Sequence, residues 1–136
     1  MAKWLYRIAS ILLVLFSVGH TLGFRKLDPG WGVDALVQSM KTIRFSAQGF
    51  PRTYWDFYVG FGLFVSVLLF FSALVCWQLG ALDASTLRLL LWLRWSLALC
   101  FAVVTFLSWK YFFPAPVVFS VVITLCLVAA AWLAQG

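Results

Sequence analysis

"RTYWDFYVGFGLFVSVLLFFSALVCWQLG", residues 52–80, decides the fold. After Asp56 the chain runs to Leu79 without another charge, carrying only Tyr58, Ser66, Ser72 and Gln78 with polar oxygen or amide groups. A helix rises about 1.5 Å per residue, so some 20 apolar residues cross a hydrocarbon core of about 30 Å. The stretch reads as a transmembrane helix over about 54–79. A carboxylate placed where hydrocarbon begins is costly unless something meets it. Asp56 therefore needs a partner, and finding that partner is the sequence's main functional question.

Three further apolar runs flank this one, at about 4–24, 87–109 and 113–133. The first, with Lys3 and Arg7 ahead of "IASILLVLFSV", resembles a signal peptide, but "SVGHTLGF" offers no small-x-small cleavage site. It is read as a first span. "GALDAST" is a tight turn in which Asp83 or Ser85 caps the third helix, and "KYFFPAP" supplies Pro114 and Pro116 to start the fourth. Short connections force antiparallel neighbours. The expected fold class is all-α: an integral membrane antiparallel four-helix bundle, forming one domain over residues 1–136.

Composition agrees with that reading. Of 136 residues, 65% are hydrophobic and 10% charged, and the mean hydropathy is +1.03, outside the soluble range. Ten Lys and Arg face four Asp and no Glu, a net +6 gathered at the ends of apolar runs, which suits lipid head groups and excludes a nucleic-acid tract. Trp4, Trp31, Trp55, Trp77, Trp109 and Trp132 sit at run ends, where rings anchor at the interfaces. Cys76, Cys100 and Cys126 stand alone in apolar runs, against a disulfide oxidoreductase site. One histidine excludes His-pair haem ligation, so no cofactor and no metal are expected.

The connection from Arg25 to Arg52 is long, about 28 residues, and such loops are structured or functional. Val33, Leu36, Val37, Met40 and Ile43 recur at helical spacing, predicting an amphipathic helix over about 33–46. It either lies flat on the membrane or folds over the bundle mouth as a lid. Sidedness stays open. Arg25, Lys26, Lys41, Arg44, Arg52 and Lys110 outnumber Lys3, Arg7, Arg88 and Arg94 and favour a cytoplasmic long loop, whereas N-terminal charges often dominate the other way.

Four antiparallel spans bring the end of the first, the start of the second, the end of the third and the start of the fourth to one face. His20 and Asp56 each lie about one turn, roughly 6 Å, inside that face. Tyr54, Tyr58 and Trp109 share the layer, with Arg52, Lys110 and Ser17 in support. A His–Asp pair in a partly dry setting holds one imidazole tautomer and serves proton transfer beside an apolar substrate. The structural alternative leaves Asp56 at the positive end of its helix or on Arg52 one turn behind, and His20 capping the first helix. Gly60, on the Asp56 face, is read as a point of close approach. Arg94 either snorkels to head groups or pairs with Asp83 or helix carbonyls.

"RTYWDFYVGFGLF", with "SVGHTLGF" and "MKTIRF", resembles a group of small four-helix bacterial inner-membrane proteins of unassigned function, over most of the chain. Four short spans with a long first connection are more loosely similar to DoxX-like proteins and to the sterol-isomerase and sigma-2-receptor superfamily. That second resemblance implies an apolar cavity with an aqueous mouth, and no catalytic residue carries over, since this chain has no Glu and a single intramembrane Asp. The expected function is binding of a lipophilic small molecule or lipid in a bundle cavity at the long-loop face, with proton-transfer, isomerase-like chemistry as the enzymatic variant. The rivals are an accessory subunit of a larger membrane complex and a small proton-coupled exporter, the latter weakened by the lack of an acid in the first span. Expected partners are membrane lipids and the lipophilic ligand, with a homodimer or larger complex left open.

Overall fold

Helices make up most of the chain in the computed structural model, which describes residues 1–135. Their order is α1 (Ala2–Gly23), α2 (Asp34–Thr42), α3 (Tyr54–Leu79), α4 (Ala84–Leu89), α5 (Leu91–Tyr111) and α6 (Pro114–Leu133), with strands β1 (Arg44–Ala47) and β2 (Phe50–Thr53) between α2 and α3. Four of them, α1, α3, α5 and α6, are long and apolar enough to cross a membrane. The chain divides into two compact units, one of Met1–Phe16 with the segment from Leu69 onward, the other Ser17–Leu68.

In the first unit, small residues let helices approach: Ala9, Ala73, Ala98, Ala130 and Ala131 are all buried. Tyr6, Leu13, Phe101, Ile123 and Leu127 fill the space between them. Ser10 Oγ donates to the Ala73 carbonyl at 2.8 Å, and Phe16 stacks on Phe119 with centroids 5.3 Å apart. α5 and α6 are joined by Phe112 and Phe113 and bonded along their length, Thr105 Oγ1 to Thr124 Oγ1 at 3.0 Å and Arg94 Nη1 to the Ala131 carbonyl at 3.1 Å. Pro114 starts α6 at a position where its missing N–H costs nothing. Gly80 ends α3 against Arg7: a Cβ there would lie 3.0 Å from the arginine stem, whose guanidinium sits 3.6 Å over the Trp77 ring.

The run expected as one helix from Leu87 is broken. Asp83 caps α4 through the Thr86 N–H at 2.9 Å, and α4 then tightens at Leu90, whose N–H reaches back to the Leu87 carbonyl at 3.2 Å. α5 restarts at Leu91. This moves Arg94 into the first turn of its helix, where it points inward to the Ala131 carbonyl rather than outward to head groups or to Asp83.

In the second unit, the long connection is ordered. Asp28 accepts the Gly30 N–H at 2.8 Å to fold a 3-10 turn at Pro29–Trp31, and Gly32 leaves it with φ of 64°. The amphipathic helix is shorter than the 33–46 expected, because residues 44–47 are taken by a hairpin. Ala47 pairs with Phe50, so Gln48 and Gly49 form a two-residue loop, with φ of 52° and 88°. Two positive φ values match the twist of paired strands, the geometry of a type I′ turn. Phe45 anchors β1 on Tyr54 and Phe57, with centroids 4.9 and 5.8 Å away. The all-α expectation holds in the main, with one small antiparallel hairpin added to the helices.

Candidate functional site

Thr53, the last residue of β2, and Asp56, in the first turn of α3, satisfy each other. The Asp56 carboxylate accepts the Thr53 N–H at 2.8 Å, and the Asp56 N–H donates to Thr53 Oγ1 at 3.1 Å. This reciprocal pair is a capping box, which meets two N–H groups that a helix start leaves without partners. Neither His20 nor Arg52 is the Asp56 partner. Arg52 donates instead to the Pro51 carbonyl at 2.8 Å.

His20 lies 3.0 Å through Nε2 from the Gly62 carbonyl and stacks on Phe24, 5.2 Å between centroids. A carbonyl only accepts, so Nε2 carries the hydrogen, and in the neutral ring Nδ1 is left as the acceptor. Gly62 is what lets the rings in: a Cβ there would fall within 2.8 Å of three Phe24 ring carbons. The close approach expected at Gly60 is therefore made two residues later, since a Cβ on Gly60 would meet nothing within 4 Å. Tyr58 adds to this cluster by donating its hydroxyl to the Phe24 carbonyl.

A polar seam continues inward from His20. Ser17 Oγ donates to the Ser66 carbonyl at 2.8 Å, Thr21 Oγ1 bonds Ser66 Oγ at 2.8 Å, and Ser66 Oγ reaches the Gly62 carbonyl at 3.2 Å. Inside hydrocarbon such bonds hold helices together. Thus His20, Tyr58 and Ser17 share one seam, while Asp56, Arg52 and Tyr54 belong to the hairpin junction. Tyr54 is 63% exposed. Trp109 and Lys110 belong to the other unit; the Trp109 ring is 70% exposed and lies tilted beside Phe106, centroids 6.1 Å apart, and the Lys110 ammonium lies 5.2 Å over Tyr111. His20 and Asp56 are thus each bonded to a backbone group, Gly62 and Thr53 respectively, and not to each other.

What the second unit does offer is a shallow groove of about 280 Å³, walled by Phe57, Phe61 and Phe64, floored by Gly60 and rimmed by Arg52 and Asp56. Among the described residues no group of three or more His, Cys, Asp or Glu could hold a metal ion.

No protein-family model, curated protein or solved structure matches this chain.

Sequence reasoning missed Thr21 and Ser66 in the seam; for Arg94 the helix-carbonyl alternative holds, with Ala131 as the carbonyl and Tyr6 as a neighbour the sequence did not name. Arg94 lies in the first unit with Tyr6, both buried, its Nη1 on the Ala131 carbonyl. Ala131 is in the last turn of α6, where carbonyls lack intrahelical donors, so Arg94 meets the negative end of that helix. The available signal was a cation followed 37 residues later by the end of the last apolar run.

Proposed function

We propose that the chain is a multi-pass inner-membrane protein, an antiparallel bundle of its four long helices, that holds a lipid or other lipophilic molecule at its long-loop end. The observation that carries this reading is the groove over Gly60. Its phenylalanine walls fit an acyl chain or a fused-ring skeleton, and the opposite charges of Arg52 and Asp56 at the rim fit a polar head. Its volume is just under the 300–1,000 Å³ usual for ligand sites, so a chain segment suits it better than an enclosed molecule. The broad apolar exterior supports a hydrocarbon surrounding: Phe61, Phe64, Phe71, Leu99 and Leu125 are all exposed. On α2, Val37 is buried while Leu36 stays exposed, as suits a helix lying against the interface. The likeness to DoxX-like and sterol-isomerase-type proteins bears on this architecture alone.

The test is native mass spectrometry of the protein purified in mild detergent, wild type beside Gly60→Leu. The wild type is expected to retain a lipid or lipophilic adduct and the leucine variant, whose side chain fills the groove floor, to lose most of it. Equal occupancy in both, or no adduct in either, would overturn the reading. A second reading rests on the same bare glycine, since an open Gly60 among phenylalanines also accepts a partner helix in a larger complex. A photocrosslinker at Phe61 in native membranes that captures one protein in stoichiometric yield would favour that accessory-subunit role.

A further inference from the structure

Among the described residues, the core of the first unit holds a cation with no anion bonded to it. Arg94 is 1% exposed and Tyr6 is 0% exposed. Nη1 of Arg94 is bonded to the Ala131 carbonyl, but Nε and the Tyr6 hydroxyl, both buried, have no hydrogen-bond partner among the described residues. They share a neighbourhood: Tyr6 belongs to the buried cluster that includes Ala98, Ala130 and Ala134, the last two flanking the Ala131 carbonyl that Arg94 meets. A buried donor left unmet costs free energy, and a buried cation without a counter-charge costs more. The partial charge at the end of α6 offsets only part of it. Of the four aspartates, Asp28, Asp56 and Asp83 are bonded to Gly30, Thr53 and Thr86 respectively, and Asp34 opens α2 in the other unit. Among the described residues no carboxylate is bonded to Arg94.

A cavity of about 240 Å³ is lined by Met1–Trp4, Ala84, Leu87, Arg88, Leu133 and Ala134; Tyr6 and Arg94 are not among its lining residues. Lys3 stands three residues before Tyr6 on α1, and Ala134 three residues after Ala131 on α6. Its two charged side chains, Lys3 and Arg88, are both cationic, and Trp4, Leu87 and Leu133 make it apolar elsewhere.

We propose that Tyr6 and Arg94 bind the oxyanion of an acidic ligand, a carboxylate or phosphate, drawn in through the cavity between Lys3 and Arg88. The Nε–H is one arm of the planar fork by which a guanidinium grips an oxyanion, and the Tyr6 hydroxyl adds a second donor. The apolar walls suit the tail of an acidic amphiphile; a free small anion would satisfy the same donors. This site is in a different unit from the Gly60 groove and does not depend on it.

Binding of labelled oleate, inorganic phosphate and oleyl alcohol to the full chain in an uncharged detergent tests the proposal. Oleate is expected to bind and oleyl alcohol to bind at least tenfold more weakly. Arg94→Gln, which removes a charged donor, is expected to weaken oleate by about tenfold or more, and Tyr6→Phe by severalfold. Lys3→Gln with Arg88→Gln should flatten the salt dependence of binding. Phosphate that competes with oleate identifies a free anion as an occupant, and phosphate that does not identifies the amphiphile; both outcomes support the site. Equal binding of oleate and oleyl alcohol, no binding of either oleate or phosphate, or unchanged oleate affinity in Tyr6→Phe would overturn it. Tyr6→Phe keeps the ring, so it decides the matter even where Arg94→Gln does not fold.

Discussion

Gly60 and Gly62 stand two residues apart in one apolar helix and have opposite meanings. Gly62 carries the Phe24 ring against its backbone, with His20 on its carbonyl, and a methyl group there collides with aromatic carbon. Overpacking of this kind typically costs about 1–3 kcal/mol. Gly60 faces open space, so a methyl group there brings only the helix-propensity gain over glycine, about 0.5–1 kcal/mol. Gly62→Ala is thus expected to lower the unfolding midpoint in mixed micelles, and Gly60→Ala to leave it unchanged or raise it. Equal losses in the two variants would refute the assignment of close approach to Gly62. The sequence marks both as small residues and does not say which one a ring approaches, since that depends on the rotation of the neighbouring helix. Asp56 was more legible than it looked. The spacing Thr53-x-x-Asp56 is that of a capping box, and a reading built on depth and charge overlooked the backbone N–H groups that compete for a carboxylate at a helix start.

At the scale of elements, the long helices were legible because apolar runs of that length have few other solutions, and the hairpin was not. Its turn residues are Gln48 and Gly49 rather than the Asn-Gly that signals a type I′ turn, and its strands have four residues each. The break at Leu90 falls within "LRLLLWLR", where neither Gly nor Pro marks it. The cap of α4 was readable, and it carries a pH dependence. The Ser85 hydroxyl, first, and then the N–H and hydroxyl of Thr86 hold the Asp83 carboxyl well below the usual carboxylate range. A depressed value in the folded state stabilises the cap wherever the carboxylate is ionised. The contribution is whole above the ordinary value of about 3.9, shrinks as pH falls below it, and is gone beneath the folded value. The protection factor of the Leu87 amide, bonded to the Asp83 carbonyl, is expected to be flat from pH 7 to 5 and to fall below about pH 4. Asp83→Asn caps without titrating, so its profile should lack that fall; parallel declines in both proteins would rule the cap out as the cause.

For the whole molecule, the arrangement of charge bears on how the proposed bundle sits in its membrane. Orientation follows the cations in short connections and near span ends, not those inside. Arg94 is buried on the Ala131 carbonyl and drops out of the count. If the four spans alternate as proposed, that leaves Lys3, Arg7 and Arg88 at one face, against Arg25, Lys26, Lys41, Arg44, Arg52 and Lys110 at the other. With Arg94 out of the count, the imbalance that already favours a cytoplasmic long connection, and that N-terminal charges oppose, widens. In a background with Cys76, Cys100 and Cys126 replaced by alanine, Ser85→Cys is expected to react with an impermeant maleimide on intact cells stripped of outer layers. Gln48→Cys should react only after lysis. The reverse pattern would overturn the orientation while keeping four spans, and labelling of both from one side would overturn the antiparallel four-span arrangement itself.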